Sequence, residues 1–319
     1  MATMATGDGR TTAGPGDEGA RAGLAPISRP DGTLAIVAMD QRSTLRRMLA
    51  AAGRASAPEE LRGFKVAVTA ALSPAASAVL LDPDLGVPAV AEAGALAPSS
   101  SLLVAAEPAD RDEWQGEPRP RPGAILSAEA VRSMGGDAAK LLVQLRPDRP
   151  HRPGEPDLVG EVLAVVRALV EDCALAGLPS VVETLLYPLP GEPPLDPERR
   201  EELVVESARL LDETRPDLLK LEYPGSARAC RAVAGALSVP WAVLSAGMDF
   251  EPFLDALRIA CDEGGASGFI AGRVYWKEAV ALDGEERTSF LATTARQRLE
   301  QSIAAMEGRA RPWASARQA

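Results

Sequence analysis

Short apolar runs recur along the chain, and most end at a polar or glycine-containing turn. They are Leu34–Met39, Ala78–Leu81, Leu102–Ala105, Ala138–Leu145, Ser180–Leu185, Leu218–Glu222, Trp241–Ser245 and Ser267–Ala271. Runs of this length, rich in Val, Ile and Leu and lacking strict alternation, predict strands buried on both faces. Between them the apolar spacing changes to three and four. A helix is expected from Ser43 or Thr44, with Leu45, Met48 and Leu49 on one side, and another over Leu61–Leu72, ending before Ser73-Pro74. Further helices are expected at Ser127–Met134, at Asp157–Leu175, from Asp196-Pro197-Glu198 to about Glu213, and over about Glu285–Glu307. Trp114–Gly123, rich in Pro, Gly and charge, reads as a long loop of the lid or binding kind. Eight strands, mostly separated by helical segments, predict an α/β protein: a single-domain (β/α)8 barrel over residues 24–310, with tails at 1–23 and 311–319.

Charged residues inside these strands change the picture from fold to chemistry. In Pro216-Asp217-Leu218-Leu219-Lys220-Leu221-Glu222-Tyr223-Pro224, alternation puts Leu218, Lys220 and Glu222 on one face. A buried lysine must be paired or neutral, and the neutral amine is the nucleophile that condenses with carbonyls. The chain holds 34 lysines and arginines, of which only Lys65, Lys140, Lys220 and Lys277 are lysines. Scarce lysines are candidates for work that a guanidinium cannot do, above all losing a proton. Lys140, also within a strand, is a second candidate. Lys65 falls on a helix and reads as a solvated or stem-packed side chain. Glu183 is an acid in a β-branched run. Burial is expected to raise its pKa and suit it to proton shuttling, unless it serves a structural ion pair. Asp40-Gln41-Arg42 follows the first strand, where α/β proteins keep reactive groups.

Composition narrows the partners. A net charge of −11 argues against nucleic acid and anionic membranes but leaves room for small anions bound by local arginines. No apolar run approaches the length of a membrane span, and the first 21 residues lack the apolar centre of a signal peptide, so they read as a disordered tail. Three scattered cysteines suggest no disulfide framework and a cytoplasmic setting. The single histidine, His151, sits in a Pro- and Arg-rich stretch that reads as an exposed loop. Histidine-based zinc sites and Ser-His-Asp catalysis are therefore not expected, and neither is a Walker-type phosphate loop. In a (β/α)8 barrel the last two strand ends commonly hold a phosphate. Here they carry Ser245-Ala246-Gly247 and Gly272-Arg273, backbone N–H groups beside a guanidinium.

Taken in order, Asp40-Gln41-Arg42, Leu72-Ser73-Pro74, Ala76-Ser77-Ala78 with Leu81-Asp82, Lys140-Leu141-Leu142, Glu183, Lys220-Leu221-Glu222, Leu244-Ser245-Ala246-Gly247 and Gly264–Trp276 resemble the class I aldolases of the tagatose-bisphosphate aldolase and sulfofructosephosphate aldolase family. The resemblance runs from about Leu34 to about Trp276. It implies Lys220 as the Schiff-base lysine, Glu183 as proton shuttle, and Lys140 and Asp40 beside the reacting carbons. Gln41, Ser245, Gly247, Gly272 and Arg273 would hold hydroxyls and phosphate. The implied substrate is a phosphorylated ketose, cleaved to dihydroxyacetone phosphate and a three-carbon aldehyde with no metal or cofactor, by a chain expected to form a homo-oligomer. Gly265–Arg273 looks closer to the sulfosugar enzymes, and Glu183-Thr184-Leu185-Leu186-Tyr187 closer to the tagatose-bisphosphate type. Two other readings remain: a phosphosugar isomerase or epimerase using Glu183 as base, and a non-catalytic sugar-phosphate-binding regulator.

Overall fold

The computed structural model describes residues 23–316. Eight parallel strands close into a barrel: β1 (Leu34–Met39), β2 (Ala78–Leu81), β3 (Ser101–Ala105), β4 (Ala138–Gln144), β5 (Ser180–Leu185), β6 (Leu218–Glu222), β7 (Trp241–Leu244) and β8 (Gly268–Ala271). Neighbours in sequence are neighbours in the barrel, and β8 closes on β1 with Leu34 opposite Gly268. Helices follow the strands and pack outside, so both faces of each strand are buried, as the unbroken apolar runs require.

Alternation sorts each strand into two layers. Leu34, Ile36, Ala78, Leu80, Leu103, Ala138, Val181, Leu218 and Ile270 fill the inside. Their neighbours Ala35, Val37, Val79, Val104, Ala139, Val182, Leu219 and Phe269 meet the helices. Leu24 and Ile27 join the interior set, with Trp313 packed against it. Continuing the inward phase upward gives Asp40 beyond β1, Lys140 on β4, Glu183 on β5, and Lys220 and Glu222 on β6. Glu183 and Lys220 are direct partners in the β5–β6 register.

The structure departs from the sequence reading at several points. The segment read as a loop over Trp114–Gly123 overlaps a hairpin, Asp112–Trp114 paired with Glu117–Arg119. Its turn residues Gln115 and Gly116 both have positive φ (50° and 84°), the twist that suits a two-residue turn. The last long helix is interrupted by a π-turn at Leu291–Ala295. Helices at Gly86–Ala93, Ala227–Ala236 and Phe250–Gly264 complete the outer layer. The expected N-terminal tail lies, but for Gly23, outside the described residues. Of the expected C-terminal tail, residues 311–316 fold back: the Trp313 N–H donates to Gly32 O at 3.0 Å.

Closure of the barrel depends on small residues at the β8–β1 seam. A Cβ on Gly268 would stand 2.0 Å from Leu34 O, and Gly268 has φ of +135°. Gly268→Ala is expected to destabilise the fold by about 3 kcal/mol, at the upper end of overpacking. A urea unfolding midpoint that is unchanged would contradict this account of the seam.

Candidate active site

At the C-terminal end of the barrel, Lys140 Nζ donates to Asp40 and Glu107, just beyond β1 and β3, and forms an ion pair with Glu183 on β5. Asp40 Oδ2, Glu107 Oε1 and Glu183 Oε2 each lie 2.8 Å away. The Lys140 side chain is fully buried. Three carboxylates thus surround one ammonium. Lys220 Nζ donates to the same Glu183 oxygen at 2.9 Å and is almost fully buried. Among the described residues this is its one carboxylate partner within ion-pair distance. Glu107 also receives the Leu142 N–H through its other oxygen at 2.9 Å, which ties the end of β3 to β4.

The electrostatics follow from this sharing. Burial alone would raise both carboxylic acids, but Lys140 and then Lys220 outweigh it and hold Asp40 and Glu183 below the usual carboxylate range. Burial alone would likewise discharge Lys140, yet Asp40, Glu107 and Glu183 hold it well above the usual lysine value. The raised pKa expected for Glu183 from burial is thus overturned, because the structure supplies two cations to one oxygen. Glu222, the other acid on the inner face of β6, is raised by burial. It keeps an ion pair with Arg200 at 2.5 Å and accepts the Leu186 N–H at 3.0 Å.

The ends of β7 and β8 form a second group. Ser245 is buried, and Ala246 and Gly247 follow in left-handed conformation (φ 47° and 84°). The Arg273 guanidinium lies against Gly247, close enough that a Cβ there would stand 3.0 Å from Nη1. Gly272 has no room for a side chain, because a Cβ would meet Ala38 O at 2.0 Å. Arg273 has no carboxylate within ion-pair distance among the described residues. A cavity of about 230 Å³ is lined by Asp40, Gln41, Glu107, Lys140, Glu183 and Arg273, and extends to Arg111, Arg119 and Arg121 around the hairpin. Gln41 Oε1 and Gln144 Oε1 on its wall are buried without a hydrogen-bond partner among the described residues. Lys220, Ser245 and Gly247 do not line this cavity; Lys220 adjoins it through Glu183. Tyr187 is buried with its hydroxyl donating to Glu117 Oε2 at 2.9 Å, beneath the hairpin, and does not line the cavity either.

Residues 34–278 match the family described as DeoC/LacD family aldolase. The chain belongs to that family. It is accordingly a lyase of the class I aldolase group. A tagatose 1,6-diphosphate aldolase of Streptococcus agalactiae is 27% identical, over 90% of this chain and 95% of its own length. A tagatose 1,6-diphosphate aldolase of Listeria monocytogenes is 26% identical, over 89% of each. Among solved structures, a Schiff-base-forming fructose-1,6-bisphosphate aldolase superposes with a TM-score of 0.58 at 19% identity, over 86% of this chain and 97% of its own, a likeness of fold.

In this aldolase the sequence reading missed two groups at the site. Glu107 follows the end of β3 and has no role assigned from the sequence; its signal was its position, two residues beyond inward-facing Ala105. Lys65 is not solvated: its side chain is fully buried and pairs with Asp82 Oδ1 at 2.6 Å. Its place among Leu61, Phe64, Val68 and Leu72 on the buried helix face was the available clue. His151 is exposed, as expected.

The cluster sets a pH window. Asp40 and Glu183 have lowered folded pKa values, so their contribution is present above the unfolded values near 4 and is lost as pH falls through the folded ones. Lys140 is raised, so its contribution is present below the unfolded value of about 10.4 and lost as pH rises through the folded one. Lys140→Met takes the paired cation from Asp40 and Glu107 and leaves Glu183 with Lys220 alone. It is expected to cost about 3–5 kcal/mol at neutral pH and to move the acid limb of stability to higher pH. Unfolding midpoints across pH 4–8 check both; an unmoved acid limb would contradict the assignment of Lys140 as their counter-charge.

Proposed function

We propose that the protein cleaves a ketohexose 1-phosphate reversibly to dihydroxyacetone phosphate and a three-carbon aldehyde, with Lys220 forming the Schiff base. The observation that carries this reading is the division between the two buried lysines. Lys140 is ringed by three carboxylates and serves as a fixed cation, whereas among the described residues Lys220 has one carboxylate within ion-pair distance, and it shares that oxygen. An amine that gives its proton to Glu183, 2.9 Å away, has a free lone pair and a dry site in which to use it.

Lys220 Nζ attacks the C2 ketone, and Glu183 returns a proton as the carbinolamine loses water. The iminium then accepts the electron pair of the breaking C3–C4 bond while Asp40 takes the proton of the C4 hydroxyl. The aldehyde departs and leaves an enamine. Protonation at C3 and addition of water release dihydroxyacetone phosphate and restore Lys220. Lys140 keeps Asp40 and Glu183 ionised and ready to accept these protons. The amide oxygens of Gln41 and Gln144 are free to accept from sugar hydroxyls. Arg273, beside Ser245, Gly247 and Gly272, is the proposed clamp for the C1 phosphate. Arg111 lines the outer part of the cavity and, like Arg273, has no carboxylate within ion-pair distance among the described residues. It is the proposed contact for an anion at C6, phosphate or sulfonate. Such an enzyme would serve carbohydrate or sulfosugar catabolism in the cytoplasm. In support, the three cysteines are free and buried, and no described helix is long and apolar enough to cross a membrane.

Incubation with dihydroxyacetone phosphate and borohydride is expected to leave a reduced adduct on the peptide containing Lys220, and Lys220→Met is expected to lower cleavage by about four orders of magnitude. An unmodified Lys220, or a Lys220→Arg enzyme that keeps its activity, would remove the mechanism. Tagatose bisphosphate, fructose bisphosphate, 6-sulfofructose 1-phosphate and fructose 1-phosphate as alternative substrates then resolve the C6 group. Arg111→Ala is expected to raise KM about tenfold for whichever C6 anion is preferred, the loss of one charge-assisted contact, and to leave fructose 1-phosphate unaffected. Equal effects on both substrates would exclude Arg111 from that role.

A further inference from the structure

Lys65 lies on the helix Pro58–Leu72, outside the barrel wall, with its side chain fully buried. Its ammonium is bound on three sides. Met39 O accepts at 2.7 Å and Gln41 O at 2.9 Å, and Asp82 Oδ1 forms an ion pair with it at 2.6 Å. Met39 and Gln41 flank Asp40 in the chain. In an extended segment, carbonyls two residues apart point the same way, so one ammonium can meet both. The carboxylate of Asp40 reaches Lys140 inside the barrel. Asp82 follows β2 and is itself fixed, its Oδ2 accepting the Leu85 N–H at 2.8 Å. The end of β1 is thus pinned from outside by one lysine, braced against the end of β2.

We propose that Lys65 is a positioning residue for cleavage, holding the Met39–Gln41 backbone so that Asp40 meets Lys140 and the substrate in register. This rests on the aldolase reading above and adds to it a residue outside the cavity. An isolated loop after a strand would leave Asp40 free to swing, and displacement of a reacting group by about 1 Å can cost on the order of a hundredfold in rate. Lysine suits the task because three separate acceptors converge on a point charge, a geometry the planar guanidinium does not match. The glycine that opens the helix Gly86–Ala93 belongs to the same device: a Cβ on Gly86 would stand 2.9 Å from Asp82 Oδ1, the atom that receives Lys65.

The test pairs trapping with turnover. Lys65→Met/Asp82→Asn removes both charges together, so no buried ion is left alone. The expected result is a folded protein that still yields the borohydride adduct on Lys220, because imine formation does not need Asp40. Its kcat for cleavage falls about a hundredfold with KM changed by less than about threefold, and the acid limb of the kcat profile moves to higher pH as Asp40 loses its hold on Lys140. If the double variant does not accumulate folded, Gly86→Ala displaces Asp82 without removing either charge. The same readouts then apply, with a fall of about tenfold expected. A folded variant with kcat within about threefold of wild type and an unmoved acid limb overturns the proposal while the aldolase reading stands. A wild-type enzyme that gives no adduct removes the aldolase reading first, and this inference with it.

Discussion

A single ammonium, Lys140 Nζ, joins three other strands of the barrel near its mouth. Its partners come from the end of β1, the end of β3 and the middle of β5, with β4 supplying the lysine itself. Such a group is tolerable only where the geometry is complete, because an ion taken from water into the interior costs several kcal/mol unless paired. The barrel therefore cannot close around Lys140 without also placing Asp40, Glu107 and Glu183. The stability of this end of the barrel and the geometry of the cluster are the same arrangement.

The room for this cluster comes from small residues below and beside it. Ala38, Ala105, Ala138 and Ala242 face inward with Gly268 and Gly272 at the seam, so the long side chains of Lys140 and Lys220 fit where larger aliphatic layers would have met. The lower layers carry Leu34, Ile36, Leu80, Leu103 and Leu218, which exclude water from below. A hydrocarbon floor under an ionic layer strengthens the charge interactions above it, since the effective dielectric falls with burial.

The fold was legible because both faces of each strand are buried, and that writes itself as short, mostly apolar runs. Lys140, Glu183 and Lys220 stood out against those runs, the lysines doubly so in a chain that otherwise uses arginine. What was not legible depended on partners brought from elsewhere. Glu107 follows its strand and looks like any loop acid until β4 comes alongside it. Lys65 looked solvated because three acceptors for its ammonium lie on two other segments. The hairpin at residues 112–119 hid in a stretch rich in proline and charge. Its anchors are also remote: Glu117 accepts from Arg149 and Tyr187, and Arg119 forms a bidentate pair with Glu161. The direction of the Glu183 shift was misread for a related reason. Burial is a property of one strand and can be read from sequence, whereas the two cations on one oxygen belong to β4 and β6.

Three buried lysines within this end of the barrel show how acceptor sets divide labour among chemically identical side chains. Lys65 holds two carbonyls and a carboxylate, so it binds backbone. Lys140 holds three carboxylates, so it fixes charge. Lys220 shares one carboxylate oxygen with Lys140. An amine can act as a nucleophile only if a lone pair is exposed, and saturation by acceptors locks the protonated form. Of the two ringed lysines, Lys140 is held protonated by its three carboxylates, whereas burial pulls Lys65 below the usual lysine range despite Asp82 beside it. Lys220, the least encumbered of the three, has a carboxylate at hand to receive its proton.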